Sequence, residues 1–222
     1  MSQHGFGIIG CGTIGTALAR AIQEKFVRSA RLSFVSDTNP AQIERLRRKL
    51  KSPRFRTVST PELIQKSDFI IESASIQAAR EAVPMTLGLG KEILVLSAGG
   101  LLQIAKLSEL VANSQGRVHL PSGGIAGIDA VLAAKVGGIR SVRITTRKPL
   151  RSLRDAPFFL RNGLRADRIR KPTLIFKGNA QEAIRNFPEN VNVAATLSLA
   201  GIGPRRTRVR IYTSPTFRYK QH

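Results

Sequence analysis

The chain has 222 residues, 42% of them hydrophobic, which suits one large globular domain or two small ones. Its net charge is +22, from 36 basic and 14 acidic residues, but no zinc-finger or RNA-recognition signature accompanies the charge and there is no tryptophan. A single cysteine, Cys11, excludes an internal disulfide and fits a reducing cytosol, and no apolar run reaches the ~18 residues of a membrane span.

The N-terminus leads straight into a short apolar strand, GFGIIG, without the features of a signal peptide, so a cytoplasmic protein is expected. TIGTALARAIQEKF follows, with Ile14, Leu18, Ala21 and Ile22 at helical spacing. RLSFVSD is a second strand, and PAQIERLRRKLK a second helix with Pro40 in its first turn. DFIIESAS and EILVLSAGG are further buried strands, separated by the helical IQAAREAVPMTL. LLQIAKLSELVANSQG reads as one helix ending near Gly116, and RVHLPSGG as another strand. Alternation of helices with near-continuous apolar strands predicts an α/β fold, a doubly wound parallel sheet covered on both faces.

After PSGGIAGIDAV the texture changes. SVRITTRKP alternates like a strand with one exposed face, and RKPTLIFKGNA holds another strand. AQEAIRNFPENVNVAATLSLAGIG reads as a helix, a turn at Pro188 and a longer apolar helix, before a last strand in RTRVRIYTSP. The expected organisation is a Rossmann-type domain over residues 1–120 and a smaller α+β domain over 121–222.

GCGTIG sets Gly10, Gly12 and Gly15 in G-x-G-x-x-G spacing between a strand and a helix. The first glycine permits a tight turn, the second a close backbone approach to a pyrophosphate, and the third close helix–strand packing. The loop, Thr13 and Ile14 included, is assigned to a dinucleotide. Asp37 closes the second strand, where a carboxylate accepts hydrogen bonds from the adenosine ribose and repels the 2′-phosphate of NADP. Of NAD and NADP, this favours NAD. The competing reading makes Asp37 a turn or cap residue ahead of Pro40. Nothing marks Cys11 as a reactive thiol.

The order of HLPSGGIAGIDAV, ITTRKP, FKGNAQEAIRNFPENVNVAATLSLAGIG and a terminal P…H resembles the L-aspartate dehydrogenases, and so does SAGGLL in the first half. The resemblance spans essentially the whole chain, and the long FPENVNVAATLSLAG block carries most of it. It implies NAD(P)-dependent oxidation of L-aspartate to iminoaspartate, which feeds quinolinate and NAD synthesis or hydrolyses to oxaloacetate and ammonia. It also implies a second domain whose sheet supports the substrate and can form a homodimer contact.

Residue by residue, the resemblance puts Gly124 where the family usually has a cofactor-contacting alanine. Asn190 and Asn192 match its paired asparagines, one of which would hold the nicotinamide end; as an alternative or in addition, both cap the following helix. His222 aligns with the catalytic histidine, and a group titrating near neutrality suits loss of a proton from the substrate ammonium and activation of water. The two carboxylates of the substrate call for cations, with Arg147 and Lys148 as candidates and Ser122 as a further hydrogen-bonding residue. No metal site is expected. His4 and His119 are weaker catalytic candidates, His119 reading as a satisfied structural histidine.

The tail departs from the family pattern. Thr213, Ser214 and Pro215 stand where Ala-Asp-Pro is usual, and Lys220 where an asparagine is usual. The family continues past the histidine with a strand and a helix. Three readings stay open: an active aspartate dehydrogenase with a short docked tail, a shortened NAD-binding homologue with little turnover, and a basic polyanion-binding protein on the same fold. A related amino-acid or dihydrodipicolinate-type reductase competes with the first. The charge itself reads either as a basic or salt-adapted surface or as a field that holds nucleic acid non-specifically.

Overall fold

The computed structural model describes residues 3–163, 165–188, 191–219 and 221. The chain divides into two compact units, Met1–Pro121 and Ser122–His222.

In the first unit the elements run β1 (His4–Ile9), α1 (Thr13–Lys25), β2 (Ala30–Ser36), α2 (Pro40–Lys49), β3 (Arg56–Thr57), α3 (Thr60–Lys66), β4 (Phe69–Glu72), α4 (Ile76–Gly88), β5 (Glu92–Val95), α5 (Ala98–Leu101), α6 (Leu107–Ala112) and β6 (Arg117–His119). The strands form one six-stranded sheet in the order β3-β2-β1-β4-β5-β6, parallel throughout. Ile8, Val35, Ile70 and Ile93 are wholly buried in it. Apolar strands of this kind need helices on both faces. The strand order reverses between β1 and β4, which opens a crevice at the carboxyl ends of those strands.

Local chemistry sets where the helices begin. Asn39 caps α2, accepting from Ala41 N at 3.0 Å, with Pro40 in the first turn. Ser59 caps α3 and Ser75 caps α4, accepting at 3.4 Å and 3.1 Å. Helix α1 starts at Gly12, with no side-chain cap.

The helix expected to run unbroken to Gly116 is instead two short ones. Gly100 packs so closely on α4 that a Cβ there would lie 2.6 Å from that of Ala79. The chain then turns out through Lys106, at φ 52°, before α6 forms on the surface. Docking of the glycine pair overrides the helical spacing of the apolar residues that follow.

The second unit contains α7 (Ile128–Val136), β7 (Val142–Pro149), α8 (Pro157–Arg161), β8 (Thr173–Asn179), α9 (Ala180–Asn186), α10 (Asn192–Ala200) and β9 (Thr207–Ser214). Its sheet is three-stranded, in the order β7-β9-β8. β7 and β9 are parallel, and β8 and β9 antiparallel. Ile144, Phe176, Val209 and Ile211 are buried, and Phe158, Phe176 and Phe187 pack ring against ring at 5.0–6.1 Å between centroids. Asn179 and Glu182 form a reciprocal capping box at the start of α9.

Candidate functional site

The glycine loop is built by steric necessity. Gly10 lies at φ 94°, and a Cβ on it would stand 2.7 Å from the backbone of Ala74. A Cβ on Gly15 would overlap the carbonyl oxygen of Gly10, so α1 could not approach β1 this closely with any other residue. Gly12 is different. A Cβ there meets nothing within 4 Å, so protein atoms do not require glycine at this position. What glycine leaves open is space over an uncapped helix N-terminus, whose N–H groups and dipole favour an anion. Thr13 and Ile14 form the first turn of α1, both exposed.

Asp37 follows β2 directly. Its carboxylate accepts from Cys11 N at 2.7 Å and from Asn39 N at 2.8 Å. Each oxygen takes one bond, which fixes the group against the glycine loop and leaves lone pairs for a ligand. A cleft of about 430 Å³ opens beside it, lined among others by Gly10, Gly12, Asp37, Asn39, Ser73 and Glu81. Two carboxylates and no lysine or arginine line it, in a chain with 36 basic residues. Cys11 is buried next to Asp37; burial first, and the carboxylate second, push its thiol up to about 12. It is an inert small residue.

One residue that the sequence reading passed over holds the floor of this cleft. Glu72, the last residue of β4, is completely buried. It accepts from Ala74 N (2.8 Å), Ser75 N (3.1 Å), Ser97 N (3.0 Å) and Ser97 Oγ (2.9 Å). Burial pushes its carboxyl above the usual range, and these four donors oppose the shift. Ser73, between them, donates to the carbonyl of Gly10 at 3.0 Å. The carboxylate thus ties the ends of β4 and β5 to the turn that meets the glycine loop. The signal in the sequence was a lone acid closing an apolar strand, FIIE, ahead of SAS.

In the second unit, Arg147 and Lys148 are neighbours on β7 and face opposite ways, as strand alternation dictates. Arg147 is exposed, while Lys148 is 2% exposed on the side that carries Thr146. In register with Lys148 is the buried Thr213 of β9, whose hydroxyl donates to the Lys148 carbonyl at 2.9 Å. Thr146 Oγ1 is buried without a hydrogen-bond partner among the described residues. Of the two basic candidates, only Lys148 shares a face with these polar groups. Ser122 and Gly124 lie in an exposed loop that turns through Gly123 and Gly127, both at positive φ. Asn192 is the first residue of α10, whose N-cap position belongs to Val191. Asn190 and His222 lie outside the described residues. His4 opens β1 at the surface, and His119 Nε2 meets Glu92 Oε2 at 2.7 Å, a satisfied pair beside Phe69.

Comparison with known proteins bears on the whole of this arrangement. Residues 10–121 match the model for the NAD-binding domain of homoserine dehydrogenase, and residues 129–222 that for the C-terminal region of aspartate dehydrogenase. The L-aspartate dehydrogenase of Methanosarcina barkeri is 42% identical over 97% of this chain and 80% of its own length. The chain belongs to the L-aspartate dehydrogenase family. The Bradyrhizobium diazoefficiens member is 38% identical over 100% of this chain and 78% of its own. A crystal structure of the Thermotoga maritima aspartate dehydrogenase shares the fold, with a TM-score of 0.71 at 24% identity, covering 99% of this chain and 82% of that one.

As a member of the L-aspartate dehydrogenase family, the protein is an oxidoreductase with a nicotinamide cofactor. Its residues fit that group: the open cradle at Gly12, the uncapped start of α1 and the anchored Asp37 lie around one cleft. No helix among the described residues is long and apolar enough to cross a membrane, and no cluster of His, Cys, Asp or Glu there could hold a metal ion.

Proposed function

We propose that the protein oxidises L-aspartate to iminoaspartate with NAD, in the direction that supplies NAD synthesis, or runs the reverse amination of oxaloacetate. The observation that carries this is the Gly12–Asp37 cleft, in a chain matched almost end to end by L-aspartate dehydrogenases. The first unit, up to residue 120, holds the cofactor, and the unit from 121 onward holds the substrate. Gly10, Gly12, Thr13, Ile14 and Gly15 take the pyrophosphate on backbone N–H groups. Asp37 accepts from the ribose hydroxyls. A 2′-phosphate would meet two carboxylates and no cation, which favours NAD over NADP. Gly124 and one of Asn190 and Asn192 hold the nicotinamide end.

When bound, the cofactor accepts the hydride equivalent that leaves Cα of aspartate. The remaining work is proton transfer and charge pairing by the chain itself. His222 takes a proton from the substrate ammonium, so that the nitrogen lone pair can form the C=N bond. Lys148 binds a substrate carboxylate within a buried setting, where an ionic contact is stronger than in water. Ser122 adds a hydrogen bond, and Arg147 attracts the dianion from the outer face. A homodimer and a cytoplasmic location belong to the same reading.

The test is reductive amination: oxaloacetate and ammonium with NADH and NADPH in separate assays, on the parent and on His222→Ala. Turnover with NADH that the substitution abolishes is the expected result. NADH binding without turnover by the parent would sink the proposed activity while leaving the cofactor site in place.

A further inference from the structure

The outer face of the second unit's sheet carries an array of cations of which the dehydrogenase reading uses only Arg147. Strand pairing sets Arg143 of β7 directly beside Arg208 of β9, and Lys177 of β8 directly beside Arg210 of β9. Arg147 lies beside Tyr212, and Tyr212 beside Leu174. The remaining positions of this face are Thr145 and Asn179, so it holds no carboxylate. Arg143, Arg147, Lys177 and Arg208 are exposed, and Arg210 is half-buried. None of the five has an ion-pair or side-chain hydrogen-bond partner among the described residues.

Like charges directly opposite one another across a sheet are destabilising. Here two such pairs stand side by side with no acidic partner among the described residues. A flat face of this kind is complementary to a polyanion. Same-side residues repeat about every 6.8 Å along a strand and about 4.8 Å across strands. The cations therefore cover roughly 13 Å of length, over which a DNA duplex presents about eight negative charges. Four of the five are arginines, whose forked donors match phosphate oxygens. A protein partner fits less well, since such interfaces centre on buried aromatic or aliphatic anchors. The large apolar side chains in register on this face are Leu174 and the half-buried Tyr212, at one end, where Ile175 bulges out of register. The resemblance allows this sheet a homodimer contact, but a second copy of the chain on this face would bring cations against cations.

We propose that this face, through Arg143, Lys177, Arg208 and Arg210, binds the phosphate backbone of nucleic acid. This places on one surface an affinity that net charge alone would spread over the whole molecule. It does not rest on the dehydrogenase activity.

The experiment is fluorescence anisotropy with a labelled 20-base-pair DNA duplex across a range of NaCl concentrations. Neutralising about five phosphates gives a slope of log K against log salt near −4.5, or an affinity falling about 500-fold between 50 and 200 mM. The triple substitution Arg143→Gln, Arg208→Gln, Arg210→Gln should reduce that slope to about −1.8 and the loss to about 12-fold. A control, Arg45→Gln, Arg48→Gln, Lys49→Gln on the exposed side of α2, removes the same charge and should keep the parent slope. Far-ultraviolet circular dichroism checks that each variant is folded, and Lys177→Gln, Arg210→Gln serves if the triple variant is not. Equal losses in variant and control would overturn the proposal, since binding would then follow net charge. So would polyglutamate competing as well as DNA, or light scattering showing a parent dimer that the sheet substitutions dissociate.

Discussion

The cofactor cleft of the first unit and the outer sheet face of the second divide the chain's charge in opposite ways. The cleft is lined by Asp37 and Glu81 and by no lysine or arginine. The sheet face sets Arg143, Arg208, Arg210, Lys177 and Arg147 together with no acid. A net charge of +22 thus says little about any one site. The cleft is organised by backbone, through glycines and a helix start, with Asp37 held in place by the amides of Cys11 and Asn39. The sheet face is organised by strand alternation, which lines up whatever residue type occupies every second position.

The sharpest way to break the comparison is to fill the cleft. Gly12→Val adds a side chain where protein atoms leave space. NADH affinity measured by fluorescence titration should fall at least ~100-fold, about 2.7 kcal/mol, with little change in melting temperature. Next in size is inversion of the cleft's charge. Asp37→Arg should shift the NADPH-to-NADH ratio of kcat/KM by roughly 30-fold towards NADPH, about 2 kcal/mol, as a repulsive contact becomes attractive. Glu72→Ala tests the bracing beneath the cleft. It leaves three backbone N–H groups without their acceptor, at a cost of roughly 2 kcal/mol, and calorimetry should show melting some ~4–8 °C lower. The smallest effect concerns Cys11. Its folded thiol titrates at about 12 against an ordinary 9.0, so it should resist iodoacetamide at pH 8 in the native protein. The sign of the linkage follows. The stability this buried thiol contributes is complete below about pH 9 and is lost as pH rises towards 12, so Cys11→Ala should lose less stability than the parent over that range.

The glycine loop, Asp37 and the alternation of strands and helices were legible because each is a local pattern with a local cause. Arg147 and Lys148 were read as a pair from their adjacency, although the alternation already read in SVRITTRKP separates adjacent residues onto two faces. Glu72 was missed because its partners at positions 74, 75 and 97 come together only through strand pairing. The break at Lys106 follows from the contact of Gly100 with α4, a tertiary constraint that helical spacing does not contain. The exposed helix α7 shows no apolar stripe, since none of its residues is fully buried. The stretch RTRVR was legible as part of a last strand, and it becomes a cationic face only once Arg208 and Arg210 are paired with their neighbours on β7 and β8.

The Glu72 carboxylate has a consequence for how the first unit opens. Amides 74, 75 and 97 donate to one acceptor group, so they have no separate protecting partners. In hydrogen exchange they should appear as a single cooperative step, with a common rate and a common dependence on denaturant, although 22 residues separate Ser75 from Ser97. Opening of the segment that follows β5 would then be felt at once in the turn against the glycine loop, and a dinucleotide bound there would slow exchange at Ser97 without touching it.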